Sequence, residues 1–277
     1  LRATTTPITT LSTPPSPDVQ SFTSVLAGYA RIGTLAAAER ADELLRILQQ
    51  PDMGIAPTVN TYNACIQCWA RVAEGNPRKD ALPSSSSNNN NRHNTTSQHQ
   101  ERALRRVEEL YHELQSQQNI KPDVYAYTSV LNAYGKSGRA EKAQDFLEVC
   151  LQDYATTNHP AMKPTAFTLT AILNAWSKAA AINPRAADTA HALVHRMMDE
   201  YGIAPNLYSV SIVIDAYART DRPDSAEKAL QLFHEMRTNF HLEPNSYACT
   251  NVLKALCRGG RVEEAETLLI DLVQDEN

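Results

Sequence analysis

Six polar side chains recur at one position of a repeating pattern in the 277-residue sequence, and each is followed eight residues later by a cation. The polar residues are Thr23, Asn63, Thr128, Thr170, Ser211 and Thr250. The cations are Arg31, Arg71, Lys136, Lys178, Arg219 and Arg258. Hydroxyl and amide groups can hydrogen-bond a base edge that no duplex occupies, and cations can contact phosphate. The pattern predicts a surface for an anionic strand.

The net charge of −5 opposes this interpretation unless the charges are segregated by face. Acids crowd the other helices of the pattern, at Glu108, Glu109, Glu141, Glu148, Glu227, Glu235, Glu263 and Glu264. We therefore expect a basic stripe on the inner helices and an acidic back. The cations could instead only favour the negative ends of their own helices, at about 0.3–1 kcal/mol each. That alternative does not explain the polar residue eight positions earlier.

Other chemistry is weakly supported. Cys65 and Cys68 form a C-x-x-C on one helix, without a second ligand pair at zinc spacing, so we expect the five cysteines to be small core residues. His191 and His195 could share a metal, but no third ligand lies near them in the sequence. A Gly-rich phosphate loop, a nucleophile elbow and an acidic metal cluster are all absent from the sequence. We predict no enzyme, no cofactor and no metal.

The elements that position these residues are helices. Six segments beginning at Phe22, Tyr62, Tyr127, Leu169, Val210 and Cys249 carry apolar residues at the start and three, four and seven positions on. This spacing places the four residues on one face of an α-helix. A second helix with its own apolar stripe follows each, for example Ala41, Leu44, Leu45 and Leu48. No apolar run is long enough to span a membrane.

The six segments predict an all-α, right-handed solenoid of six helical hairpins. Their starts lie 40, 65, 42, 41 and 39 residues apart, and prolines at 57, 122, 164, 205 and 244 end the hairpins. The predicted repeats are about 19–58, 59–123, 124–165, 166–206, 207–245 and 246–277, after a flexible lead-in at 1–18. The long interval contains a Ser- and Asn-rich stretch, so residues 76–100 are predicted to be a disordered insertion.

The pattern resembles the pentatricopeptide repeat family, in its P-type repeats. The resemblance is close in Pro122–Ala143, PDVYAYTSVLNAYGKSGRAEKA, and in Ala248–Ala265, ACTNVLKALCRGGRVEEA. It covers roughly residues 17–277, while the W-x-x-L-G signature of tetratricopeptide repeats is missing. The resemblance implies sequence-specific binding of single-stranded RNA, one base per repeat, in mitochondria or plastids, with a role in RNA processing, stabilisation or translation.

In that family the polar residue of the first helix and the last residue of the repeat together choose the base. The resemblance implies five pairs here: Thr23 with Thr58, Asn63 with Asp123, Thr128 with Thr165, Thr170 with Asn206, and Ser211 with Asn245. Asn63 with Asp123 favours uracil, and the two pairs that end in asparagine favour adenine. The two Thr–Thr pairs fall outside the common combinations. Thr250 has no partner before the chain ends.

The second position of each repeat departs from the family pattern, which has an aliphatic residue there. This chain has Gln20 and Asn60, then four aromatic residues that could stack on bases: Tyr125, Phe167, Tyr208 and Tyr247. A protein scaffold that binds a helix or peptide along the concave groove is the alternative function. Net acidity, the two Thr–Thr pairs and the short array favour that alternative.

Overall fold

The computed structural model describes residues 17–75 and 89–274. These residues form twelve α-helices, two short 3₁₀ turns and no strand. The first helices of the six hairpins are α1 (Val19–Ile32), α3 (Val59–Ala73), α5 (Val124–Lys136), α7 (Ala166–Ala179), α9 (Leu207–Arg219) and α11 (Ser246–Arg258). The second helices are α2 (Leu35–Leu48), α4 (Asn89–Ser116), α6 (Ala140–Thr157), α8 (Ala186–Tyr201), α10 (Ser225–Thr238) and α12 (Val262–Gln274). The predicted six-hairpin solenoid is confirmed.

The hairpins stack through their first helices. Each first helix packs on the first helix of the next hairpin. The second helices α2, α4, α6, α8 and α10 each pack on the first helices before and after them, and α12 packs on α11. The predicted apolar stripes form this core: in the middle hairpins residues such as Tyr62, Trp69, Leu131 and Ile172 are buried. Val25 of α1 and Leu269 of α12 are about half exposed, because no described hairpin packs beyond them. None of the described helices is long and apolar enough to cross a bilayer.

Each first helix begins after a proline and an N-cap residue. The N-caps are Asp18, Thr58, Asp123, Thr165, Asn206 and Asn245, all in extended backbone conformation. Their oxygens can satisfy N–H groups that the first turn of a helix leaves free. Proline forces the same break at each hairpin because it cannot continue a helix. The junctions therefore recur with the period of the repeat.

Residues 89–100 of the predicted insertion are the first residues of a helix in the structure. Helix α4 begins at Asn89 and continues to Ser116. Residues 89–100 contain neither proline nor glycine, so a polar segment can extend the helix that Ala103 and Leu104 anchor in the core. Residues 76–88 and the first 16 residues of the predicted lead-in lie outside the described residues.

A mostly buried ion pair holds α4 against α2. The guanidinium of Arg106 donates to Asp42 at 2.8 Å and to Glu113 at 2.8 Å. Asp42 is buried, so removing its cation would leave an uncompensated charge. We expect Arg106→Met to lower the free energy of unfolding by about 3 kcal/mol in chemical denaturation. The exposed pair Arg40–Glu43 is the control, since Arg40→Met should leave the free energy of unfolding nearly unchanged; equal losses would contradict this account.

Candidate functional site

Four aromatic rings project from the surface of consecutive first helices. Tyr125, Phe167, Tyr208 and Tyr247 occupy the second position of α5, α7, α9 and α11, and their exposed fractions are 68, 80, 55 and 45%. Exposed rings gain nothing from core packing, so a row of them is a candidate binding surface. We call the surface that these rings share with the neighbouring polar residues and cations the first-helix face.

A groove of about 630 Å³ lies between the first two of these rings. Tyr125 and Phe167 line it together with Thr128, Thr165 and Thr170, all from α5, α7 or the cap before α7. The two helices approach closely at Gly135, where an added Cβ would lie 3.1 Å from the carbonyl oxygen of Ala171. Two exposed rings with hydroxyls between them form a site that can take a flat, polar ring.

A second groove of about 230 Å³ continues along the same helices. Its polar lining consists of Asn132, Asn174, Lys136, Lys178 and the ring of Tyr208. Asn132 and Ala171 line both grooves, so the two are continuous. The first-helix face therefore leads from aromatic rings through hydroxyls and amides to cations.

The six predicted cations are all exposed and end their first helices in a common register. We call them the basic row. In three cases the cation donates to a backbone carbonyl at the end of the preceding first helix: Arg71 to Arg31 at 3.4 Å, Lys178 to Lys136 at 3.0 Å and Arg258 to Ala218 at 2.6 Å. The carbonyls belong to the neighbouring hairpin and not to the cation's own helix. These bonds align the basic row along the stack.

Neighbouring members of the basic row influence one another. Partial burial, followed by repulsion from Lys136, lowers the pKa of Lys178. Acids accompany some members: Lys136 pairs with Glu74, Arg219 with Asp215 at 2.7 Å, and Arg258 with Asp221 at 3.7 Å. The cations of these pairs are exposed, and ion pairs at a protein surface are weak, although the Asp215 carboxylate is mostly buried.

A family comparison agrees with these features. The model of the Pentacotripeptide-repeat region of PRORP matches residues 78–274, which is more than half of the chain. The chain belongs to the pentatricopeptide repeat family. This confirms the family that the sequence motifs indicate, though not the P-type subtype.

Individual members of the pentatricopeptide repeat family are similar over parts of their length. The Arabidopsis thaliana pentatricopeptide repeat-containing protein At4g21065 is 32% identical over 100 residues, 36% of this chain and 15% of the relative. At1g68930, of the same organism and family, is 24% identical over 215 residues, 74% of this chain and 25% of the relative. The chain thus spans a quarter or less of these relatives.

Solved structures of one pentatricopeptide repeat protein share the fold. PPR10 in complex with an 18-nucleotide psaJ RNA element aligns with a TM-score of 0.55 at 23% identity, over 93% of this chain and 28% of PPR10. A cysteine-substituted form of PPR10 with the same RNA element aligns equally well. At this identity the likeness concerns the fold alone.

The six polar residues of the first helices differ in accessibility. Thr250 is exposed, Thr23, Thr128 and Thr170 are half-buried, Asn63 is nearly buried and Ser211 is fully buried. Four of the hydroxyls donate to the carbonyl four residues back in their own helix, those of Thr23, Thr170, Ser211 and Thr250. Each such oxygen keeps lone pairs to accept from a ligand. Ser211 cannot do so in this conformation because it does not reach the surface.

The predicted last residues of the pentatricopeptide repeats are the N-caps of the following first helices. The side chains of Asp123, Asn206 and Asn245 accept backbone N–H bonds at 2.8–2.9 Å. The backbone N–H groups of Thr58 and Thr165 donate to the hydroxyls of Thr61 and Thr168. Helix capping therefore explains why these positions hold Asp, Asn or Thr, without reference to any ligand. In Asn206 and Asn245 the Nδ2 amide takes no part in the cap.

One predicted pair is in direct contact. The Asn63 amide donates to both carboxylate oxygens of Asp123, at 3.1 and 3.3 Å, although the residues are 60 positions apart. The Oδ1 atom of Asn63 is buried and has no hydrogen-bond partner among the described residues. An unsatisfied buried acceptor is costly, and either an ordered water or a ligand group can complete its bonding.

The prediction that the cysteines are small core residues holds for three of the five. Cys65, Cys68 and Cys150 are buried, whereas Cys249 is half-buried and Cys257 is exposed. Cys65 donates to Ala41 and Cys68 to Leu26, each to a backbone carbonyl. Burial raises the pKa of Cys68 to about 12, so it remains a thiol at neutral pH.

The structure brings a third candidate ligand, which the sequence analysis did not find, to His191 and His195. Glu235 of α10 lies beside both rings, with one possible ligand atom from each residue within 4.8 Å of the others. Sequence reasoning missed Glu235 because it searched the same helix. The repeat period could have indicated this contact, because Glu235 lies 40 residues after His195, which is one repeat further along the chain.

Proposed function

We propose that this chain binds single-stranded RNA along the first-helix face, with bases against the exposed rings and phosphates along the basic row. The main support for the proposal is the groove between Tyr125 and Phe167, which combines two aromatic stacking surfaces with hydroxyl groups. The groove that continues from it is lined by Lys136 and Lys178. Stacking of this kind requires unpaired bases. Family membership and the RNA-bound state of PPR10 support it. We extend the proposal to RNA processing, stabilisation or translation in mitochondria or plastids.

The proposal includes reading of one base by each of the second and fourth hairpins. At Thr170 the hydroxyl proton goes to the Ala166 carbonyl at 2.8 Å, so its oxygen can accept from the exocyclic amine of adenine. The Nδ2 amide of Asn206 can donate to adenine N1. At the second hairpin, Oδ1 of Asn63 is unsatisfied but buried, so it can accept from the N3–H of uracil only after the Asn63 side chain turns towards the surface. These assignments match the code implied by the sequence resemblance.

The binding proposal is tested by fluorescence anisotropy with a labelled, randomised single-stranded RNA and a duplex of the same composition. We expect tight binding of the single strand at low salt, a steep loss as salt is added, and much weaker binding of the duplex. Equal affinity for both, or no binding to either, would contradict it. A protein scaffold would give the latter result.

Changing Asn206 to Asp tests the reading of bases. Aspartate caps helices as well as asparagine does, so α9 should keep its N-terminus. The carboxylate, however, loses the amide donor for adenine N1 and can accept from the N1–H of guanine. In an affinity selection from a randomised pool, we expect the preference at one nucleotide position to move from adenine towards guanine by about tenfold. An unchanged selection profile would reject the code at this hairpin.

A further inference from the structure

Three metal-ligating side chains converge away from the first-helix face. His191 and His195 lie one turn apart on α8, and Glu235 lies on α10 of the next hairpin. The Nε2 atom of each ring is 3.9 Å from Oε2 of Glu235. The two ring centroids are 5.1 Å apart. His191 and Glu235 are mostly buried, and His195 remains partly open to solvent.

The hydrogen bonds around His191 orient its lone pair towards Glu235. The Tyr217 hydroxyl donates to Asp188 at 3.1 Å, so towards Nδ1 of His191, 3.0 Å away, it acts as an acceptor. The neutral ring then carries its proton on Nδ1 and presents the lone pair of Nε2. A histidine whose second nitrogen is held through a hydrogen bond in this way is typical of metal sites.

The carboxylate of Glu235 gives a second reason, separate from the histidines, to expect a cation at this place. Its Oε1 accepts from Gln231 at 2.9 Å, but Oε2 is buried and has no hydrogen-bond partner among the described residues. The separation of 3.9 Å from each imidazole nitrogen is too long for a hydrogen bond. The Nε2 lone pair of His191 and this carboxylate oxygen thus face each other, and Nε2 of His195 lies equally near the same oxygen.

We propose that His191, His195 and Glu235 bind one divalent transition-metal ion, with zinc as the ion that best suits two imidazoles and a carboxylate. Tetrahedral zinc with bonds of about 2.0 Å needs ligand atoms about 3.3 Å apart. Small side-chain rotations bring the three atoms to that separation. A water molecule would complete the coordination on the solvent side, next to His195.

The proposed ion would join two outer helices. In the structure α8 and α10 each pack on α9 between them. A metal bond from α8 to α10 would therefore link the fourth and fifth hairpins on the side away from the first-helix face. Since an ion that binds only the folded chain stabilises it, zinc should raise the melting temperature.

The test is a zinc titration of the metal-free 277-residue chain against a chromophoric chelator. We expect one zinc per chain, with affinity reduced at least tenfold by Glu235→Gln or His195→Ala. Tyr217→Phe should weaken binding about tenfold by releasing the His191 ring. His234→Ala is the matched control, because this exposed histidine is adjacent to Glu235 on α10. It should bind zinc like the parent chain.

Cobalt substitution identifies the ligands independently of affinity. Cobalt bound by nitrogen and oxygen should give visible d–d bands without the near-ultraviolet charge-transfer band of thiolate, and Glu235→Gln should abolish the spectrum. Glu235→Gln keeps the side-chain size, and circular dichroism verifies its fold. The proposal is overturned if the chain binds no zinc, if Glu235→Gln binds it unchanged, or if the spectrum shows thiolate ligation.

Discussion

Replacing Tyr125 and Phe167 together by alanine is expected to weaken binding of single-stranded RNA about 30-fold or more. Stacking of a base on an aromatic side chain contributes about 1–3 kcal/mol by alanine substitution, so two rings contribute at least about 2 kcal/mol. Both rings are largely exposed, which means that their loss leaves no cavity. The measurement is anisotropy of a labelled oligonucleotide with each single variant and the double variant.

The design separates stacking from a general loss of apolar surface. Ile182 is 90% exposed and lies outside both grooves, so Ile182→Ala is a matched control that should leave RNA affinity unchanged. The double variant should keep the parent melting temperature and the parent salt dependence, because no cation is removed. If it binds RNA as tightly as the parent chain, the groove between Tyr125 and Phe167 is not the base site.

Periodicity explains why most of the fold could be predicted. Each hairpin repeats the same apolar spacing. Residues spaced like Tyr127, Val130, Leu131 and Tyr134 lie on one face of a helix, and that face is buried in the core. The N-caps were visible as Thr, Asp or Asn after a proline. Apolar spacing and helix capping depend on residues within about one helical turn of each other, and these are neighbours in the sequence.

The unpredicted features depend on neighbours one repeat away. Ser211 has the same pattern position as Thr170, yet the packing around α9 buries it completely. Lys178 was assigned by its position alone, whereas its bond to the Lys136 carbonyl follows from the stacking distance between hairpins. Glu235 likewise meets His195 only because hairpins align at one repeat period. Comparing residues at that interval would have found the Lys178 and Glu235 contacts.

Changing Lys178 and Arg219 together to alanine is expected to weaken binding across all RNA sequences and to flatten its salt dependence. Each phosphate contact with a single strand contributes about 0.7 to the slope of log K against log salt, so two contacts contribute about 1.4. At 0.1 M salt this corresponds to about a 25-fold loss of affinity, which should vanish near 1 M. Base preference should stay unchanged, since phosphate contacts carry no sequence information.

A charge-matched variant distinguishes the effect of the basic row on RNA binding from the effect of net charge. Arg105 and Lys142 are exposed on the second helices α4 and α6, so Arg105→Ala with Lys142→Ala removes the same two charges from the outer side. It should leave affinity and slope nearly at parent values. In the row variant, loss of Arg219 also uncovers the carboxylate of Asp215, which repels phosphate and adds to the effect. Equal losses in the two variants would mean that net charge alone attracts the RNA, and the row would then have no specific role.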